Sequence, residues 1–192
     1  SRRLRLRFTI FNIMRHIALF SQTGSEIGRL IDNNVQPDSV FYDQTNPDII
    51  DRSIDTESYA FNIPKKKVKN VEFLRDCFGD PQTCFITLHG WLNIIPKEIC
   101  REYKIFNGHP GYITKYPELK GKDPQKRAFE EREKYRFIGS VIHRVIPEVD
   151  EGEILYSKCL INAYSTEDSV IAACKRISLN LWLNFFNEKA YN

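Results

Sequence analysis

The 192-residue chain has no CxxC pair, and its five cysteines (Cys77, Cys84, Cys100, Cys159 and Cys174) are odd in number and widely spaced. That pattern argues against a disulfide framework or a zinc site and makes a reducing, cytoplasmic setting the default. Several of these thiols lie in apolar runs, where they read as core residues. No apolar run approaches the roughly 18 to 20 residues that cross a bilayer. An excess of one charge is also missing: 28 basic residues against 25 acidic ones leave +3, which gives no support for nucleic acid as a partner. No G-x-G-x-x-G follows the first apolar run, which disfavours a dinucleotide-dependent dehydrogenase. Repeats and low-complexity segments are absent. What is present is ordinary for a globular protein, with 42% hydrophobic and 28% charged residues. The length suits one well-buried α/β domain and is short for two.

The beginning of the chain departs from this. In SRRLRLRFTIFNIMRHIALF, Arg2, Arg3, Arg5 and Arg7 alternate with other residues and no acid intervenes. Three readings stand: a transit peptide, an extra edge strand of period 2, or a non-native extension. Met14 is the sole methionine. Residues 1–13 are accordingly set apart as a basic extension, and 14–192 as a single domain.

From Met14 onward short apolar runs alternate with helical patterns. HIALF (16–20), DSVFYD (38–43), YAFNIP (59–64), TCFITLHGW (83–91) and YKIFN (103–107) predict buried strands. Helices are predicted from Ile27, over 68–78, from Pro96 to Arg101, over 124–135, and over 166–190 behind a Ser165 or Thr166 cap. RFIGSVIHRVI and GEILYSKCLI predict an antiparallel pair joined by a turn at Asp150 to Gly152. The pattern implies an α/β fold with a mixed, mostly parallel twisted sheet, helices on both faces, and a C-terminal antiparallel strand pair plus long helix. Ligands in such sheets sit outside the carboxyl ends of the strands.

Four of those carboxyl-end loops carry chemistry. SQTGSE places Gln22, Thr23, Gly24 and Ser25 before a helix N-terminus, where free N–H groups can hold an anion; a tight turn is the plainer reading. LHGWLNIIP places Leu88, His89, Gly90, Trp91 and Leu92 after a strand, as a turn and a core tryptophan or as a ligand-facing segment. NGHPG presents Asn107, an amide donor, and His109, which titrates near neutrality, on one face if the backbone is extended. By itself the stretch favours an Asn–Gly turn with a solvent-exposed histidine. VIHRVIPEVDEGEIL brings His143, Pro147, Glu148, Val149 and Asp150 to an acidic turn, from which Asp150 can orient a histidine.

In order and spacing the four loops together resemble the folate-dependent formyltransferase family, which includes glycinamide ribonucleotide transformylases and the catalytic domain of methionyl-tRNA formyltransferases. The resemblance rests on N-x-H-P at Asn107 to Pro110, on Pro117, Gly121 and Pro124, and on His143 followed by D-x-G-x-I at Asp150 to Ile154. It implies an enzyme that moves a formyl group from 10-formyltetrahydrofolate to a primary amine, with no metal. Asn107 would donate to the developing oxyanion, and His109, kept cationic by Asp150, would stabilise it and share in proton transfer. Leu88 to Leu92 and Pro147 to Val149 would form the folate pocket, largely through backbone groups. Gln22 to Ser25 would hold the phosphate of the acceptor, and His143 would be structural.

The acceptor half departs from the family pattern. Gln22 replaces a glycine, Glu26 brings a negative charge beside the expected phosphate, and Ser178 stands where a ribose-contacting glutamate is expected. The implied acceptor is therefore a phosphorylated or nucleotide-linked amine, ribonucleotide-like or an amino sugar. The implied partners are folate and a small amine, without nucleic acid or membrane, acting as a monomer or homodimer. Formyltetrahydrofolate hydrolysis, or folate or nucleotide binding without catalysis, are the alternatives.

Overall fold

In β1 (Arg15–Phe20) the apolar run becomes an interior strand of a seven-stranded sheet, buried on both faces from His16 onward. The computed structural model describes residues 14–190, with side chains to residue 188. Every expectation attached to residues 1–13 lies outside the described residues. After β1 come α1 (Ser25–Asp32), β2 (Ser39–Tyr42), β3 (Ala60–Asn62), α2 (Val71–Phe78), β4 (Cys84–Leu88) and α3 (Lys97–Glu102). Then follow β5 (Lys104–His109), α4 (Pro124–Glu130), β6 (Phe137–Arg144), β7 (Ile154–Ile161) and α5 (Glu167–Ala190).

The sheet order is β3-β2-β1-β4-β5-β6-β7. The strands from β3 to β5 run parallel, whereas β6 is antiparallel to both β5 and β7. The chain moves outward from β1 in one direction and from β4 in the other. Their carboxyl ends therefore flank the crevice where such sheets bind ligands.

Period-2 alternation sorts the side chains onto two faces. Ile17, Leu19, Ile86, Leu88 and Ile105 join Leu74, Phe78 and Ile99 under α2 and α3. Ala18, Phe20 and Val40 lie under α1 with Ile27, and Phe106 and Ile142 meet Trp182 and Phe185 of α5. The expected mixed sheet with helices on both faces is thus what forms.

Three local expectations need correction. The helix expected over 68–78 begins at Val71, because the Asn70 side chain accepts from Phe73 N–H and caps it there; Val68 is buried in the preceding turn. The helix expected over 124–135 ends at Glu130, where Glu131 leaves helical geometry at φ −112°. The Asn–Gly turn reading of 107–108 fails, since β5 runs on through His109. Asn107, Gly108 and His109 pair with His143, Ile142 and Val141 of β6, and that ladder overrides the local turn preference.

Candidate active site

The extension of β5 decides the geometry of the NGHP stretch. Asn107 and His109, two residues apart on a strand, point to the same face, and their partners His143 and Val141 share it. Asn107 Nδ2 lies 3.2 Å from His143 Nε2, while His143 Nδ1–H donates to the Arg144 carbonyl at 3.0 Å. His143 Nε2 thus has both the Asn107 amide and, at 3.3 Å, Asp150 Oδ1 within reach, and the Asn107 amide keeps an N–H for another partner.

His109 is 5% exposed, and its Nε2–H donates to the Leu119 carbonyl at 2.9 Å. A carbonyl only accepts, so in the neutral ring Nδ1 carries the lone pair. Asp150 Oδ2 is 3.7 Å from that Nδ1, and Oδ1 is 3.3 Å from His143 Nε2. Gly121 N–H donates to Asp150 Oδ2 at 3.0 Å. The loop of Pro117, Gly121 and Pro124 thus holds His109 through one residue and Asp150 through another. Arg127 of α4 holds the loop in turn, donating to the carbonyls of Glu118, Leu119 and Lys120.

Burial pushes the Asp150 carboxyl up, but the hydrogen bond from His143, the charge of His109 and the Gly121 N–H outweigh it and hold it at about 2. Asp150 also has a left-handed backbone, φ +54°, a conformation that aspartate tolerates better than most residues. For His109 the balance goes the other way. Burial lowers its pKa, and Asp150 with the Leu119 carbonyl only partly offsets that. The expectation that Asp150 keeps His109 cationic is therefore corrected: the resting ring is neutral at neutral pH, because its burial is nearly complete and the carboxylate lies beyond hydrogen-bond reach.

On the opposite face, beside this cluster, lies a cavity of about 190 Å³ lined by the first loop, α5 and the β5 end, including Gly108 and Pro110 on either side of His109. Gln22, Thr23, Gly24 and Ser25 all line it. Gly24 has φ +70°, and a Cβ there would come within 2.6 Å of Ile54, so both conformation and space call for glycine. Thr23 is braced from outside, its carbonyl accepting from Asp51 N–H at 2.8 Å.

Of the residues expected at a folate pocket, His89 and Gly90 line the same cavity as the first loop. The His89 side chain turns to the α1 and α5 face. There Nδ1 lies 2.7 Å from Glu26 Oε2. The reason is strand parity: Thr87 and His89 share a face opposite to that of Ile86 and Leu88. Trp91 is 8% exposed and packs with Ile95 and Ile99, as a core residue. Leu92 and Val149 are exposed at the carboxyl end of the sheet, whereas Pro147 is half-buried and Glu148 exposed in the β6–β7 connection. Within 88–92, His89 N–H donates to Leu19, Leu92 N–H donates to the Ser21 hydroxyl, and the Gly90 carbonyl accepts from Ser21 N–H.

Glu26 also differs from expectation. Its charge is not left facing the loop but is engaged by His89 and by Trp182 Nε1–H at 3.1 Å. Ser178, beside it on α5, donates to the same carboxylate. Sequence reasoning missed Arg127, Arg29 and Lys175, the last two being cavity-lining cations; single basic residues on helices carry no local signal.

The sequence matches the family described as formyl transferase over residues 14–181. It is 35% identical over 82 residues to a phosphoribosylglycinamide formyltransferase of Dictyostelium discoideum, a stretch that covers 38% of each chain. Among solved structures, phosphoribosylglycinamide formyltransferase of Streptococcus pneumoniae superposes with a TM-score of 0.72 at 20% identity, covering 90% of this chain and 99% of that one. A formyltetrahydrofolate deformylase of Pseudomonas syringae pv. tomato gives 0.69 at 16% identity, covering 89% and 59%. These structures share the fold described above. With the family pattern spanning nearly the whole described chain, this protein belongs to the formyl transferase family.

Proposed function

We propose that the chain transfers a formyl group from 10-formyltetrahydrofolate to a primary amine on a small, phosphorylated or nucleotide-linked acceptor. The observation that carries this is the convergence of Asn107, His109 and Asp150 on one another, with Gly108 and Pro110, the chain neighbours of His109, lining the cavity. Attack of an amine on a formyl carbon forms one C–N bond, places charge on the formyl oxygen and leaves a surplus proton on the new nitrogen. Asn107 has an amide N–H to give to that oxygen. His109 Nδ1, unprotonated at rest, takes the proton, and the imidazolium so formed lies between the Leu119 carbonyl and the Asp150 carboxylate. Returning that proton to the folate N10 as its C–N bond breaks releases tetrahydrofolate and the formamide. The exposed apolar side chains of Leu92 and Val149 suit the flat face of a pterin. The first loop and the N-terminus of α1 suit the acceptor's phosphate.

Hydrolysis of the folate to formate is the second reading. It draws on the same three residues, with water in place of the amine, and on the shared fold of the deformylase. Absorbance-monitored loss of 10-formyltetrahydrofolate against a panel of amines separates the two. Transfer requires an amine for turnover; formate released at the same rate without one makes the protein a hydrolase.

A further inference from the structure

The cavity floor holds a carboxylate–histidine pair that the transfer chemistry leaves unused. Glu26 Oε2 accepts from His89 Nδ1 at 2.7 Å and from Trp182 Nε1 at 3.1 Å, and the Ser178 hydroxyl donates to the same carboxylate. An ionised carboxylate has about four lone-pair sites. Three are taken here, yet the Glu26 side chain is still 24% exposed and lines the cavity. One acceptor site therefore faces the ligand space.

What lies beneath explains why the carboxylate stays put. His89 Nε2 is 2.8 Å from Thr87 Oγ1, which is 2.7 Å from His16 Nε2. His16 is buried and its pKa is pushed down to about 3 by that burial and by His89, so its ring is neutral. Ionised Glu26 only accepts, so His89 Nδ1 carries a proton. If His89 is neutral, Thr87 donates to it and His16 Nε2–H donates to Thr87. If His89 is cationic, it donates to Thr87, and Thr87 donates to His16. Either order pairs every atom from His16 Nε2 to Glu26 Oε2, so the floor stays locked. Gly108 belongs to the same lock, because a Cβ there would come within 2.8 Å of Trp182 Nε1.

The chemistry offered to a ligand is thus an acceptor on the floor and cations near it. Arg29 lies one helical turn from Glu26, and Lys175 one turn from Ser178; both are exposed and line the cavity. A cavity of about 190 Å³ has room for about six waters, the scale of one sugar ring rather than a whole nucleotide.

We infer that Glu26, held by His89 and Trp182, is the specificity-determining residue for the acceptor, selecting a polyhydroxylated, sugar-linked amine. Its open lone pair takes a ring hydroxyl, and its charge keeps the acceptor's phosphate off the floor, at the first-loop N–H groups and within reach of Arg29 and Lys175. This rests on the transfer reading.

The test compares sugar-linked amines with their deoxy counterparts, for instance phosphoribosylglycinamide and its deoxyribosyl analogue, in wild type and in Glu26→Gln. The wild type should prefer the hydroxylated partner by about tenfold in kcat/KM, since a hydrogen bond to a charged group is being read. Glu26→Gln should raise the acceptor KM by about tenfold, leave kcat and the folate KM within about twofold, and abolish the preference. Trp182→Phe, which frees one anchor and keeps the carboxylate, should lower the preference part of the way. Formate produced without amine in the wild type overturns the transfer reading and the inference with it. Amine-dependent turnover without a hydroxyl preference, or a preference that survives Glu26→Gln, overturns the inference alone. If Glu26→Gln does not fold, the wild-type pair of substrates still decides.

Discussion

His89 and His109 are equally buried, at 5% exposure each, and each faces a carboxylate, yet the two pairs are built differently. His89 has both ring nitrogens engaged, and its carboxylate is at 2.7 Å. His109 is anchored through Nε2 alone, with Asp150 Oδ2 at 3.7 Å from the open Nδ1. The first pair is a fixture: nothing in it is free to take a proton without reordering a chain of hydrogen bonds. The second pair is held apart, with a lone pair facing a carboxylate and the cavity close by. Burial alone therefore does not mark a reacting histidine; an unfilled ring nitrogen does. On the proposed function, the two faces of the sheet would divide the work, the β5–β6 face for chemistry and the α1–α5 face for holding the acceptor.

Substitutions at the open pair should have the largest effects. Asn107→Ala and His109→Ala should each lower turnover by on the order of a hundredfold or more with the fold intact by circular dichroism. Wild-type rates in both would erase the contrast between the two histidines.

Asp150→Asn comes next, and it isolates charge, because asparagine also tolerates the left-handed backbone at φ +54°. Turnover should drop by on the order of tenfold or more in steady-state assays. Stability should change as well. The carboxyl sits at about 2 when folded against an ordinary 3.8, so its contribution is complete above 3.8 and is lost as the pH falls toward 2. Denaturant titrations should show wild type ahead by on the order of 2 kcal/mol at neutral pH, with the gap closing in acid. An undiminished gap in acid would contradict this assignment.

The pH profile sharpens the comparison further. With the His109 pKa lowered below 6.5, the neutral base is fully present at neutral pH and is lost as the pH falls through that lowered value. The acid limb of kcat/KM should therefore have its midpoint below 6.5. Removing Asp150, which pulls that pKa up, should move the acid limb lower still. A limb at or above 6.5 would contradict that lowering.

The smallest effect is expected at Gly108→Ala, where the new methyl meets the Trp182 indole at 2.8 Å. Overpacking there should cost roughly 1–3 kcal/mol in denaturant titrations. It should also raise the acceptor KM more than it lowers kcat, because Trp182 anchors Glu26.

The two pairs also differ in how far the sequence reveals them. Asn107, His109 and Asp150 stand in short motifs at carboxyl ends of apolar runs, so local pattern and loop order together point to them. Even there the neutral state of His109 was hidden, since burial depends on the Pro117–Pro124 loop closing over the ring. Asn107–Gly108 looked like a turn because its hydrogen-bond partners lie 34 to 36 residues away in β6. Glu26, His89 and Trp182 were legible only as single residues. They are separated by 63 and 156 positions where they touch, and no spacing rule spans such distances. The sheet itself was readable because each buried strand is a local apolar run, whereas the helix ends at Val71 and Glu130 depend on caps and single dihedrals.

The most direct test of the account follows the carbon. With the formyl group of 10-formyltetrahydrofolate labelled with ¹³C and a sugar-linked amine present, the label should appear in the acceptor's formamide, one for each tetrahydrofolate formed. In the amine-free control the cofactor signal should persist. Label accumulating as formate at the same rate in both samples would contradict the account.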